Sequence, residues 1–172
     1  MSKLSSILEW GPISRVRRNH ALEHATLQLL NRKHPGARLA GYSDMRGFWV
    51  VGTVSTDELQ FTVEEALQRL RSGEASLAIH PNCGTNFAVS GALAGTAAWA
   101  AMLGSGKTAR NKLDRLPLVV MLVTVAMVIS QPLGPKFQAK VTTQANPGEM
   151  RVVEIIRYPR NEMITHRVVT QR

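Results

Sequence analysis

The chain has 172 residues and a formal net charge of +9, from 21 Lys and Arg against 12 Asp and Glu. That length suits one domain, or one domain plus a membrane anchor. Few aromatics, scattered basic residues and the lack of any helix-turn-helix, zinc-finger or RNP-like signature argue against nucleic acid. The expected partner of the excess charge is an anionic lipid headgroup layer, where each nearby cation contributes roughly 1 kcal/mol. The single cysteine, Cys83, excludes an internal disulfide and fits a reducing compartment. The first residues, MSKLSSILEWGPISRVRR, lack a long apolar h-region and a cleavage site, so no secretion signal is expected.

In chain order, residues 13–33 predict a helix. Leu22, Ala25, Leu29 and Leu30 form an apolar stripe at helical spacing, and His34-Pro35-Gly36 ends it. Residues 38–42 and 47–54 predict two strands joined by the turn Tyr42–Gly47, the second rich in β-formers. Its stretch Phe48–Val54 is expected to offer an edge to an extended peptide. Thr62 followed by Glu65 reads as a capping box for a helix over 63–72. Ser76–Ile79 reads as a short strand. The tail carries three β-rich stretches, Phe137–Thr143, Arg151–Tyr158 and Met163–Thr170, separated by turns at 146–148 and 159–161.

Charge is absent between Glu74 and Lys107 and again between Arg115 and Lys136. Asn86–Leu103 is rich in Ala and Gly, with Gly91 and Gly95 as a small-xxx-small face for close helix approach in lipid. Leu116–Leu133 is apolar on every face, unlike a surface helix, which shows a polar stripe. Both segments approach the ~20 residues a bilayer requires. The expected architecture is therefore α+β: a small mixed domain on a two-helix transmembrane hairpin. Residues 1–85 form its N-terminal part, 86–133 the hairpin with a short loop at 104–115, and 134–172 a β-rich tail. Two crossings put both flanks on one side, so the tail is expected to pack on the N-terminal part. Lys107, Arg110, Lys112 and Arg115 favour a cytoplasmic loop. Exporting some 80 residues without a signal opposes that, and further cations flank the outer ends of the hairpin. A cytoplasmic domain on a multi-pass protein of the plasma (inner) membrane is expected.

His20-Ala21-Leu22-Glu23-His24 fits H-x-x-E-H. On a helix, positions i and i+4 share a face, so both imidazoles can reach one ion. Glu23 is the candidate general base, taking a proton from metal-bound water whose pKa the metal lowers to about 7. The second constellation is His80-Pro81-Asn82-Cys83-Gly84-Thr85-Asn86, placed just before the first apolar helix. A thiolate at a helix N-terminus is favoured by the dipole and the open N–H groups, so Cys83 is a candidate third zinc ligand, with His80 as the alternative. The same atoms suit a thiol hydrolase, with Cys83 as nucleophile and a histidine as base. Gly104-Ser105-Gly106-Lys107-Thr108 fails the phosphate-loop pattern, since Ala101 stands where the first glycine belongs. His34 reads as a cap, His166 as a residue without a partner nearby in sequence, and Asp44 and Glu74 as weak extra ligands.

Through Arg18–Thr26, the Gly47-Phe48 strand and Leu77–Asn86, the chain resembles an uncharacterised bacterial membrane-protein family, a domain of unknown function associated with photosynthetic and related bacteria. The likeness covers roughly residues 15–135 and implies no activity. The five residues His20–His24 are also similar to inverted-motif zinc metallopeptidases, but a downstream acidic ligand is lacking. The resulting expectation is a membrane-anchored zinc-dependent hydrolase, a peptidase, acting on a protein or peptide, with His20, His24 and Cys83 or His80 on the metal and Glu23 as base. The competing expectation is a non-catalytic membrane subunit or assembly factor, with a structural metal or none. Haem ligation by the histidines is a third, which visible absorbance would reveal.

Overall fold

The computed structural model describes residues 3–160 and 163–171. They form two compact units, one comprising Met1–His80 with Ala139–Arg172 and the other Pro81–Gln138.

The first unit opens with a short helix, α1 (Lys3–Glu9), which the sequence reading missed, and continues into α2 (Gly11–Lys33). Pro12 in the first turn and Arg32 and Lys33 in the last suit its two ends. Ala21, Leu22, Ala25, Leu29 and Leu30 are buried, the stripe expected from their spacing. Strands β1 (Ala40–Asp44) and β2 (Gly47–Gly52) follow as a tight hairpin in which Asp44 pairs with Gly47. The Asp44 carboxylate accepts the Arg46 N–H at 2.7 Å, closing the turn. Gly47 has φ +142°, and a Cβ there would collide with the Val168 carbonyl, so only glycine fits.

Helix α3 (Thr56–Arg71) starts earlier than predicted. Its cap is Ser55, whose side chain accepts the Glu58 N–H at 3.2 Å. Thr62 is an interior helical residue, fully buried, and its hydroxyl accepts from Lys33 Nζ at 3.1 Å. The proposed capping box is thus wrong, because Ser55, with Asp57 and Glu58 in the first turn, is the better start. Ser55→Ala is expected to cost about 1 kcal/mol, read as a fall in the urea midpoint at constant slope. Ala75–Ala78 is a 3₁₀ turn rather than a strand.

Strands β3 (Arg151–Arg160) and β4 (Met163–Gln171) form the predicted tail hairpin, with a bulge between Val152 and Glu154. β4 also pairs antiparallel with β2, giving the four-stranded order β1-β2-β4-β3. Phe48–Val54 therefore offers no free edge: β2 is interior, and β1 and β3 are the edges. Phe48, Val50 and Val168 join the buried face of α2 and Leu59, Val63, Ala66 and Leu70 of α3 in one core.

The segment 137–143 is not a strand. Gln138–Thr142 is a π-helical turn. Arg17 Nη2 donates to the Lys140 and Thr143 carbonyls at 3.1 and 2.9 Å, and the Gln144 N–H donates to Arg17 O at 3.0 Å. Those main-chain groups are met by α2, so they need no sheet ladder.

His166 on β4 is fully buried, with Nε2 3.1 Å from the Thr56 hydroxyl and no hydrogen bond at Nδ1. Burial, helped by Arg157, lowers its pKa from the ordinary 6.5. The unfolded chain therefore binds this proton more readily than the fold does. Stability is unaffected above the ordinary value and falls as pH drops below about 6.5, until the lowered native pKa is reached. Urea midpoints at pH 7.5 and 5.5 are expected to differ by less in His166→Gln than in the natural chain.

The second unit pairs α4 (Gly84–Met102) with α6 (Leu116–Phe137), and a short α5 (Ala109–Asp114) lies between them. Ser90 Oγ meets Ser130 Oγ at 2.7 Å, and Gln138 Nε2 donates to Asn86 Oδ1 at 2.6 Å. Gly91 and Gly95 do not form the packing face, since a Cβ at either would meet nothing within 4 Å. Among the described residues one helical stretch, Ala109–Thr142, is long and apolar enough to cross a membrane.

Candidate functional site

Helix α2 carries a polar stripe at four-residue spacing: His20, His24 and Gln28. The His20 and His24 rings lie 4.2 Å apart between centroids, tilted by 60°. The His80 ring lies 5.5 Å from that of His24, tilted by 39°. Three of the predicted residues are thus brought together in the unit that holds the sheet.

Main-chain carbonyls orient the pair. His20 Nδ1 is 3.0 Å from Thr142 O, and His24 Nδ1 is 2.8 Å from Ala78 O. A carbonyl oxygen only accepts, so in each neutral ring the proton sits on Nδ1 and the lone pair on Nε2. Metal-binding histidines are commonly held this way, by a carbonyl on the far nitrogen. Gln28 Nε2 donates to the Leu77 and Ile79 carbonyls at 2.8 and 3.0 Å, fixing the segment that supplies Ala78 O and leads into His80. Neither Gln28 nor the two carbonyls were anticipated. Gln28 had a signal in its position, four residues beyond His24; the carbonyls had none.

Glu23 is buried and turns to β1. The Ser43 hydroxyl donates to Glu23 Oε2, and a Cβ at Gly41 would collide with the carboxylate. Glycine at 41 is therefore what lets the acid lie against the strand.

Cys83 belongs to the second unit. It is buried and caps α4, its sulfur accepting the Thr85 N–H at 3.4 Å, which is the helix-start position the sequence indicated. The other candidates are engaged elsewhere. Asp44 Oδ1 accepts from Arg167 Nη2 at 2.7 Å. Arg69 grips both Glu74 oxygens, at 2.7 and 2.9 Å. His34 ends α2 and pairs with Glu58.

The arrangement defines a histidine-bearing α+β domain whose sequence matches a domain of unknown function, DUF6391, over residues 15–155. The chain belongs to that family. The match reaches past the stretch expected from the motifs and into β3. An uncharacterized protein of Picosynechococcus sp. is 36% identical over 153 residues, covering 81% of this chain and 71% of that protein. Neither description carries an activity. No solved structure matches the chain.

Proposed function

We propose that this protein is a membrane-anchored, zinc-dependent hydrolase of peptide bonds. His20 and His24 would hold the metal through Nε2, with Cys83 as third ligand, and Glu23 would be the general base. The observation that carries the reading is the orientation of the paired imidazoles: adjacent on one helix face, both with Nδ1 on a main-chain carbonyl. The three ligand types are those of a catalytic zinc site, two imidazoles and a thiolate with one position left for water. His80, three residues before Cys83, is the alternative third ligand. Edge strand β1, against which Glu23 lies, has main-chain groups suited to an extended peptide.

Metal content of the purified chain tests the first step. One zinc per chain is expected, with His20→Ala and His24→Ala each losing it. Cys83→Ala should also lose it while His80→Ala retains it; the reverse result would exchange the two roles. A natural chain that binds no zinc refutes the proposal.

The anchor in this reading is a hairpin of α4 and α6, with the domain on the cytoplasmic side of the plasma membrane. Its support is composition: neither span carries charge before Lys136, and Phe87, Trp99, Val120 and Val128 are all more than half exposed. Carbonate-resistant membrane association, and protection of a tag placed at residue 172 in right-side-out vesicles, are the expected results.

One observation favours the second reading, a non-catalytic metal clamp. Glu23 is only 4% exposed, and its carboxylate is already hydrogen-bonded to Ser43, as a positioning group would be.

A further inference from the structure

Two apolar side chains near the start of the chain stay outside the core: Ile7 in α1 and Trp10 in the bend before α2, both more than half exposed. The Trp10 N–H donates to Ile7 O at 3.2 Å, so the two belong to one turn. Three positions apart, they present neighbouring apolar surface.

Hydrogen bonds within the sheet-bearing unit fix what lies beside that turn. The Ser14 N–H donates to Trp10 O at 2.9 Å, and the Ser14 hydroxyl donates to Gln144 Oε1 at 3.0 Å. One guanidinium joins the same two regions. Arg17 donates through Nη1 to Leu8 O at 3.2 Å and through Nη2 to the Lys140 and Thr143 carbonyls at 3.1 and 2.9 Å. The turn bearing Ile7 and Trp10 is thereby tied to residues 140–144, where the apolar helical stretch Ala109–Thr142 ends.

Charge is absent over the twenty residues between Arg115 and Lys136. At 1.5 Å per residue they span about 30 Å, the thickness of a bilayer's hydrocarbon core. Lys136 then marks the edge of that core, and Lys140 lies about 6 Å further out, at headgroup level. An indole ring is favoured at that depth, with its N–H in the wet layer and its apolar body toward the acyl chains. We propose that Ile7 and Trp10 insert into the headgroup–acyl boundary of the bilayer, as a foot beside the exit of the crossing helix. This foot presupposes the membrane anchor proposed above and is independent of zinc. Exposed Glu9 offsets one of the exposed cations Arg15 and Lys140, so apolar contact carries the attachment and zwitterionic lipid suffices.

The test uses the full chain in phosphatidylcholine vesicles, with Trp10 left as the one tryptophan by Trp49→Phe and Trp99→Phe. A companion variant keeps Trp99, in α4, instead. Bromines near the headgroup end of the acyl chains should quench Trp10 emission more strongly than bromines near the chain ends. Ile7→Asp in the Trp10-only chain should remove most of that quenching, since a carboxylate resists the apolar boundary. Quenching of Trp99 but not of Trp10, or strongest quenching of Trp10 by the deepest bromines, overturns the foot and leaves the anchor standing. If neither tryptophan is quenched, the anchor itself fails, and the foot with it. The natural chain answers the same question without loss of Trp49. With 5-fluorotryptophan incorporated, nitroxide lipid labelled near the headgroup should broaden the Trp10 fluorine line, assigned by its disappearance in Trp10→Phe. A sharp Trp10 line beside a broadened Trp99 line overturns the proposal.

Discussion

Glu23→Gln is expected to lower cleavage of fluorescein-labelled casein by about 10²–10⁴-fold, the usual contribution of a positioned proton acceptor. Zinc content and melting temperature should barely move. The amide has nearly the shape of the carboxylate, so it fits against Gly41, and its oxygen can still accept the Ser43 hydroxyl proton. What is lost is basicity: an amide takes no proton from metal-bound water. The effect should fall on kcat rather than KM, because the general base acts in the transition state. A structural clamp would behave otherwise, since an amide at 23 preserves the packing. Zinc-loaded Glu23→Gln with undiminished turnover would remove the base from the mechanism. A natural chain that binds zinc and cleaves nothing would favour the clamp.

The largest expected effect on stability is that of Phe48→Ala. Phe48 is fully buried in β2, paired with Ser43 on one side and Val168 on the other. It sits in the interior pair of strands, in the same core cluster as α2 and α3, so a cavity there has fixed walls on both sheet and helix sides. Truncation of a buried Phe costs about 3–5 kcal/mol, lost transfer energy plus residual void. Domains of this kind are stable by only about 5–15 kcal/mol, so the variant approaches the unfolding threshold. Urea unfolding in detergent should show a much lower midpoint with an unchanged slope. A loss under about 1 kcal/mol would mean that the core collapses around the missing ring. Tyr42→Ala, one residue before the Ser43 partner but 68% exposed, is the internal control and should cost little.

Features carried by local pattern were legible in the residues. The apolar stripe on α2, the β1–β2 hairpin and the β3–β4 hairpin follow from periods of 3.6 and 2, and from turn residues close at hand. The four-residue spacing of His20 and His24 was enough to pair their rings. Where the reading failed, a nearby choice depended on something distant. Thr62 looked like a cap until Ser55 supplied the better start, which put Thr62 in the core. Residues 137–143 have strand composition, but the Arg17 guanidinium takes up two of their carbonyls, and a helical turn results. Gly91 and Gly95 promised a helix contact that the structure gives to Ser90 and Ser130 instead.

By itself, then, the order of residues determined the long helix α2, the two hairpins, the uncharged segments and the helix face that carries the imidazoles, because each depends on neighbours within a few positions. Tertiary structure alone decided the insertion of β4 beside β2, the turning of Glu23 onto Gly41 and Ser43, and the tautomers of the histidine pair. The carbonyl that orients His20 lies 122 residues away, and the one that orients His24 lies 54 away. Main-chain carbonyls are chemically alike at every position, so no residue type announces which of them will meet a ring. Only the folded path of the backbone brings a particular one into hydrogen-bonding range.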